Sequence, residues 1–238
     1  MTAPLFRADP YLCEARTRVT SVRPDGGIVP DASVFYPTGG GQPGDSGRIA
    51  WEGGQAEIAT TTKGEGEAIV LVPAEGAPHP PVGAEITQAL DWERRESHMR
   101  VHTALHLLSV IIPLPVTGGS ISAGKGRLDF DMPEAPADKA VLEAELNALA
   151  ERDLPVTEEW ITEAELDANP GLVKTLTVQP PRGAGRIRLI RIGAGDATVD
   201  LQPCGGTHVV RTGEIGALRL GKIEKKGARN RRVYLHLA

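Results

Sequence analysis

The longest stretch with helical periodicity is Arg94–Ile112, rich in helix formers, free of Pro and Gly, and ended by Pro113. On a helix, Leu105, Leu108 and Ile112 turn to the core, while His102 and His106, at i and i+4, share another face. A second helix is predicted over 136–152, with Leu142, Leu146 and Leu149 along one side and carboxylates elsewhere. Before these helices the pattern differs. Short apolar or alternating runs at 15–22, 27–29, 32–36 and 68–72, separated by Gly, Pro and Asp, read as strands of a small barrel or sandwich. Pro78–Gly83 reads either as a hinge or as a turn joining two strands. Between the helices 127–131, and after them 186–192, 197–201 and 233–237, read as strands. The expected fold class is α+β: a β-barrel domain at 1–90, then a domain at 91–238 with helices packed on a largely antiparallel sheet.

A chain of 238 residues with 40% apolar content can bury a real core. It has no run of about eighteen apolar residues, and its start lacks a charged segment followed by an apolar one, so neither a membrane span nor export is expected. Cys13 and Cys204 are too few for a disulfide framework, which suits a reducing, cytoplasmic setting.

Charge is unevenly distributed. Residues 134–167 hold eleven Asp or Glu against Lys139 and Arg152, a balance of −9 within a total of −5, which leaves the remainder at +4. The basic remainder is densest in Arg219–Arg232, with seven basic residues and one acid. Lys225, Lys226, Arg231 and Arg232 are its candidate phosphate contacts, although such runs are commonly solvated faces.

The sharpest chemistry lies in two short motifs, His102-Thr-Ala-Leu-His106 and Cys204-Gly-Gly-Thr-His208. Each sets two soft or borderline donors four positions apart, and together they offer three imidazoles and a thiolate, a set that tetrahedral Zn2+ prefers. The first pair rides a helix; Gly205-Gly206 suits a tight turn that brings Cys204 and His208 together. Separate buried or surface His and Cys are the plainer alternative, which two metal-compatible spacings in a chain with six His outweigh. His98, one turn earlier on the same face, reads as an outer or substrate contact, or else a solvated surface residue. Thr103, Asp200 and Gln202 are candidates for water or substrate contact, against ordinary capping and strand roles. The Gly-rich segment Phe35–Gly47 has neither the GxGxxG nor the Gly-Lys-Ser/Thr pattern, so no nucleotide cofactor is expected; taken alone it reads as a long mobile turn.

Four stretches, Phe35-Tyr-Pro-Thr-Gly-Gly-Gly-Gln-Pro-Gly-Asp45, Arg100-Val-His-Thr-Ala-Leu-His-Leu-Leu108, Val116-Thr-Gly-Gly-Ser-Ile121 and Cys204-Gly-Gly-Thr-His-Val209, resemble in order and spacing the free-standing alanyl-tRNA editing proteins. This is the AlaX group, in its medium-length class, related to the editing domain of alanyl-tRNA synthetase. The resemblance implies a small β-barrel followed by a zinc-containing editing domain, and hydrolysis of mischarged tRNA(Ala), chiefly seryl-tRNA(Ala), with glycyl-tRNA(Ala) as a second substrate. It maps the zinc ligands onto His102, His106, Cys204 and His208, the editing-pocket motif onto Gly39, Gly40, Gly41 and Gln42, and the reader of the serine hydroxyl onto Thr117. Two rivals remain at this point: a zinc-stabilised nucleic-acid-binding module without catalysis, and a serine-removing editor of threonine tRNA.

Overall fold

The structure, a computed structural model, describes residues 1–136, 138–176, 183 and 185–238. It divides into two compact units, Met1–Ser97 and His98–Ala238.

In the first unit six strands close a barrel: β1 (Glu14–Val22), β2 (Ile28–Pro30), β3 (Gly47–Trp51), β4 (Gly54–Lys63), β5 (Ile69–Pro73) and β6 (Glu85–Leu90), in the order β1-β2-β5-β4-β3-β6. Closure leaves no sheet edge unpaired. Val19, Ile28, Ile49, Ile58, Leu71 and Ile86 point inward and fill the interior with Phe35. Polar side chains share this core, Gln88 at their centre. Gln88 is fully buried, and its amide accepts from Ser33 Oγ and Val34 N and donates to Thr17 Oγ1 and Ala32 O, so its burial carries no unpaired group.

Strands β3, β4 and β6 lay outside the expected set, and the strand expected at 32–36 is only Ala32–Ser33, which pairs with Ala3–Pro4 outside the barrel. Gly54–Lys63 is written with Gln, Glu and four Thr/Lys at its end, and only Ala56, Ile58 and Thr61 face inward. Pro78–Gly83 is corrected from a hinge to a turn inside the barrel, joining β5 to β6. Ala84 N donates to Pro81 O, and Gly83 takes the left-handed φ of 86° that the turn requires.

The helix α1 (Trp92–Ile111) starts two residues before the expected position, because Asp91 caps it by accepting from Arg94 N. From Val101 to Ser109 every residue is buried. Its polar members must therefore find partners inside the protein.

In the second unit, β7 (Val116–Ser122) and β8 (Lys125–Asp131) form a hairpin, followed by α2 (Lys139–Glu151). The expected start of this second helix takes in Ala137, which lies outside the described residues. The helix is capped by Asp138, whose side chain accepts from Ala140 N and Val141 N. Then come β9 (Val156–Thr162), β10 (Arg186–Ile192), β11 (Asp200–Pro203), β12 (Leu218–Lys225) and β13 (Asn230–Leu237). They build an antiparallel sheet β12-β13-β8-β7 and a smaller one, β9-β10-β11. The strand expected at 197–201 begins later, at Asp200. Gly193 and Gly195, with φ of 94° and 52°, first turn the chain through a short 3-10 segment.

Helix α2 covers the open edge of β12 with side chains rather than with another strand. Asn147 both accepts from Leu218 N and donates to Leu218 O, Glu143 accepts from Leu220 N, and Lys139 donates to Leu220 O. Positions 139, 143 and 147 are one helical turn apart and so follow the strand's edge groups. No described helix is long and apolar enough to cross a membrane.

Candidate metal centre

His102 and His106 project from α1, and Cys204 and His208 from the loop that leaves β11. The fold brings their donor atoms within 4.8 Å of one another. Cys204 Sγ stands 3.4 Å from His102 Nε2 and 3.3 Å from His208 Nε2. A tetrahedral ion with ligand bonds of about 2.0–2.3 Å requires ligand-to-ligand edges of about 3.3–3.7 Å. The donor chemistry and the spacing both fit a metal ion.

The outer imidazole nitrogens of His106 and His208 are held from behind, which decides which nitrogen faces the cluster. His106 Nδ1 donates to Asp200 Oδ2 at 2.8 Å. His208 Nδ1 lies 3.2 Å from Thr103 Oγ1, whose single proton goes to Met99 O and which also accepts from Val209 N. With that proton spent, the contact requires His208 to carry its hydrogen on Nδ1 and present a bare Nε2. Asp200 is in turn paired with the Lys174 ammonium, and Gln202 Nε2 donates to Asp200 Oδ2 at 2.8 Å. The loop itself is tied to β10 by Arg188, whose guanidinium donates to Cys204 O and Gly206 O, at 3.0 and 2.9 Å.

Electrostatics favour the protonation states that ligation needs at Cys204 and His208, whereas His106 must give up a proton to bind. Burial pushes the Cys204 thiol up, but the imidazoles of His102 and His208 outweigh it and bring it well below its usual value. Burial and the neighbouring His102 charge push His208 down to about 3. Burial opposes charge on Asp200, yet the His106 hydrogen bond and the Lys174 charge hold its carboxyl down at about 2. Burial disfavours the His106 cation too, but the bond to Asp200 and the nearby thiolate raise it to about 9. The result is a thiolate, a neutral His208 and a carboxylate anchoring His106.

The remaining expected residues fall in several places. His98 is only 1% exposed, which corrects the solvated-surface alternative: it lies on the buried side of a turn whose solvent side carries the exposed Glu96. Thr117 is the extra residue of a β-bulge, since Gly118 pairs with Asp129 and Val116 with Phe130. Its hydroxyl donates to Asp129 O and accepts from Asn230 Nδ2. The adjoining Val116 N donates to Lys174 O, so the residue whose ammonium holds Asp200 also runs beside the start of β7. Gly39–Gln42 belong to the first unit, where the expected mobile turn is instead a two-residue hairpin. Gly39 and Gln42 exchange both backbone hydrogen bonds, and Gly40 and Gly41 adopt φ of 58° and 82°, as a type I′ turn demands. Gln42 is buried, and Gly44 has no room for a side chain: a Cβ there would stand 2.0 Å from Thr61 O.

The basic run forms the β12–β13 hairpin. Lys225 and Lys226 are exposed, Lys226 beside Glu224 at 3.0 Å. Arg232 is paired through two nitrogens with Asp129, and Arg231 donates to Pro133 O at 2.6 Å. Lys174, Arg188, Ser109 and Asn230 were not among the expected site residues. No local motif marks them; Lys174, Arg188 and Asn230 come from distant segments, and Ser109 lies one turn past His106 on α1.

Residues 187–234 match the family model described as "Threonyl and Alanyl tRNA synthetase second additional domain". The "Alanyl-tRNA editing protein AlaX-M" of Methanosarcina acetivorans is 32% identical over 247 residues, covering 100% of this chain and 99% of the relative. That of Methanosarcina barkeri is 31% identical over 245 residues, with the same coverage of both chains. An "Alanine--tRNA ligase" of Pyrobaculum neutrophilum is 35% identical over 232 residues, covering 94% of this chain, which spans only 25% of the ligase. End-to-end correspondence at this identity shows that the chain belongs to the AlaX-M family of alanyl-tRNA editing proteins.

Proposed function

We propose that the protein is a trans-acting editing hydrolase that cleaves the ester of mischarged tRNA(Ala), removing serine and also glycine, at a Zn2+ ion held by His102, His106, Cys204 and His208. The reading places it in the cytoplasm, where tRNA is charged, and requires no nucleotide cofactor. The observation that carries it is the buried three-histidine, one-cysteine cluster with its imidazoles already oriented, in a chain that aligns end to end with AlaX-M proteins.

When bound, zinc supplies Lewis acidity toward the ester carbonyl or a bound water of lowered pKa. The chain's own residues set the stage. Asp200 takes the Nδ1 proton of His106 and so directs Nε2 inward, and Lys174 keeps that carboxylate ionised. Thr103 does for His208 what Asp200 does for His106, so both are positioning residues rather than substrate contacts. Gln202 braces Asp200 and Ser109 from the same side. Of the four candidate phosphate contacts, Lys225 and Lys226 have the exposure that suits the role, whereas Arg232 and Arg231 serve mainly to fix the hairpin. The Gly39–Gln42 turn keeps the pocket role that family membership implies.

Incubation with seryl-, glycyl- and alanyl-tRNA(Ala) tests the proposal. Seryl ester should be lost and alanyl ester spared; a zinc-loaded protein that consumes none of the three would be a binding module instead. Preference for seryl-tRNA(Thr) would reassign the substrate to the threonine system.

Two variants probe the supporting residues. Asp200→Ala should weaken metal affinity by about 10- to 100-fold, because it frees the His106 ring and strands the Lys174 ammonium. Competition with a chelator measures this, and unchanged affinity would remove Asp200 from the account. Thr117→Val, nearly isosteric, should cost about 1–3 kcal/mol in kcat/KM for the seryl ester if the hydroxyl reads serine. Glycyl ester, lacking that hydroxyl, should be spared. Equal losses on both esters would mean that the bonds to Asp129 and Asn230 only shape the bulge.

A further inference from the structure

We propose that the outward face of the sheet β12-β13-β8-β7 is a docking surface for the phosphate backbone of tRNA, with Lys125 and Arg219 as its outer contacts. The inference takes the identity of the polyanion from the function proposed above and is otherwise carried by the sheet.

Register and burial define the face. Gly126, Leu128 and Phe130 on β8, Val233 and Leu235 on β13, and Leu218 and Leu220 on β12 are buried, so the residues between them point the other way. Those residues stand in cross-strand rows. Lys125 is opposite His236, and His236 is opposite Arg219; Arg127 is opposite Tyr234; Asp129 is opposite Arg232, and Arg232 is opposite Glu224. A bulge between Leu220 and Ile223 sets Lys222 over the Tyr234 ring, its ammonium 5.5 Å from the centroid.

Five strand cations thus share one face with Asp129, Glu224 and Asp131, the last held by Arg229 from the hairpin tip, in a chain whose net charge is −5. The carboxylates are already engaged. Asp129 holds Arg127 and Arg232, and Glu224 holds Lys222 while accepting from Tyr234 Oη. Lys125 and Arg219 are exposed and meet no carboxylate among the described residues. They end a row across three strands, about 10 Å apart at two strand spacings. Beside Arg219 a cavity of about 470 Å³ opens, shared with Lys222, His236 and Lys139 at the start of α2. Gly221 keeps it open, since a Cβ there would stand 2.9 Å from both His236 Nε2 and Tyr234 Cβ.

The chemistry of the face selects phosphate over bases. Tyr234, its hydroxyl engaged and its ring under Lys222, is not free to act as a stacking platform, whereas guanidinium and ammonium groups held in rows match a repeating anion. The face also extends the basic reading beyond the hairpin tip, to a lysine on β8 that lies outside the basic run.

Binding of uncharged tRNA, measured across a salt series, tests this independently of hydrolysis. In Lys125→Ala with Arg219→Ala, loss of two phosphate contacts should make the log–log salt slope shallower by about 1.4–1.8. Between 50 and 200 mM salt the wild type should then lose about tenfold more affinity than the variant. Charge reversal, Lys125→Glu with Arg219→Glu, should weaken binding further at low salt. An unchanged slope in the alanine variant overturns the inference, and so does intact tRNA binding with loss of poly-glutamate binding, which would assign the face to an acidic protein. A wild type that binds tRNA through these residues yet hydrolyses no ester would leave this inference standing and defeat the hydrolase reading instead.

Discussion

Cys204→Ala combined with His208→Ala should abolish stoichiometric zinc binding and, with it, deacylation of seryl-tRNA(Ala). Two imidazoles on one helix face remain, and such a pair rarely holds zinc tightly. The charge stabilisation that a bound metal supplies is worth several kcal/mol, and each 1.36 kcal/mol is a factor of ten, so a fall of about 10²–10³-fold or more is expected. The fold should survive. The helix that carries the other two ligands is anchored in the core along Val101–Ser109 by its own buried side chains, Leu105, Leu107 and Leu108 among them, and Arg188 still ties the ligand loop to β10. Metal analysis, circular dichroism and ester loss on the same preparation separate the outcomes. Undiminished zinc would defeat the ligand assignment, and global unfolding of the variant beside an inactive wild type would mark the ion as structural.

The four donors were legible because their spacing is local: i and i+4 on a helix, and two ends of a Gly-Gly turn, are geometry that a short sequence window contains. What holds those donors is not local. Thr103 acts on His208 across 105 positions, Asp200 on His106 across 94, and Lys174 comes from a segment with no motif. Arg188 reads in sequence as an ordinary polar position of an alternating strand, yet it anchors the cysteine loop. The basic run shows the same limit. Its cations could be counted, but the carboxylates that engage Arg229 and Arg232 are Asp131 and Asp129, about a hundred residues earlier and adjacent only through the β8–β13 register.

In the fold, the runs at 15–22, 27–29 and 68–72 were found and 32–36 shrank to Ala32–Ser33, while Gly54–Lys63 escaped because barrel closure, rather than its own pattern, makes it a strand. His98 was ambiguous for a related reason. It sits where the helix passes from a half-exposed first part, with Glu93 and Glu96 in solvent, to the Val101–Ser109 stretch that is buried on all sides. The pattern of polar residues therefore does not mark which face His98 is on. The Gly-rich segment looked like a loose turn since glycine permits many conformations. Here it is fixed by neighbours: Tyr36 N donates to Asp45 Oδ2, Thr38 N to Thr61 O, and Gly44 lies too close to Thr61 for any other residue.

Arg95→Ala should be the most destabilising single substitution in the first unit, lowering its stability by about 3–5 kcal/mol. Arg95 is wholly buried and donates to Pro10 O and Val34 O while pairing with Asp45, itself wholly buried within the Gly-rich segment. Burial pushes the Asp45 carboxyl up, and Arg95 is the strongest influence opposing it. Asp45 Oδ1 already has no hydrogen-bond partner among the described residues. Without the guanidinium, an uncompensated carboxylate and two carbonyls remain in the interior, and the desolvation of those groups is no longer offset. A double variant, Arg95→Met with Asp45→Leu, removes both charges and should recover much of the loss, although Tyr36 N would then lack its acceptor. Hydrogen exchange resolved by segment provides the check. In Arg95→Ala, exchange should accelerate across the barrel strands and the 35–47 segment, while the β12–β13 hairpin keeps its protection. A loss below about 1 kcal/mol would mean that water reaches Asp45 and that the pair contributes no more than an exposed one.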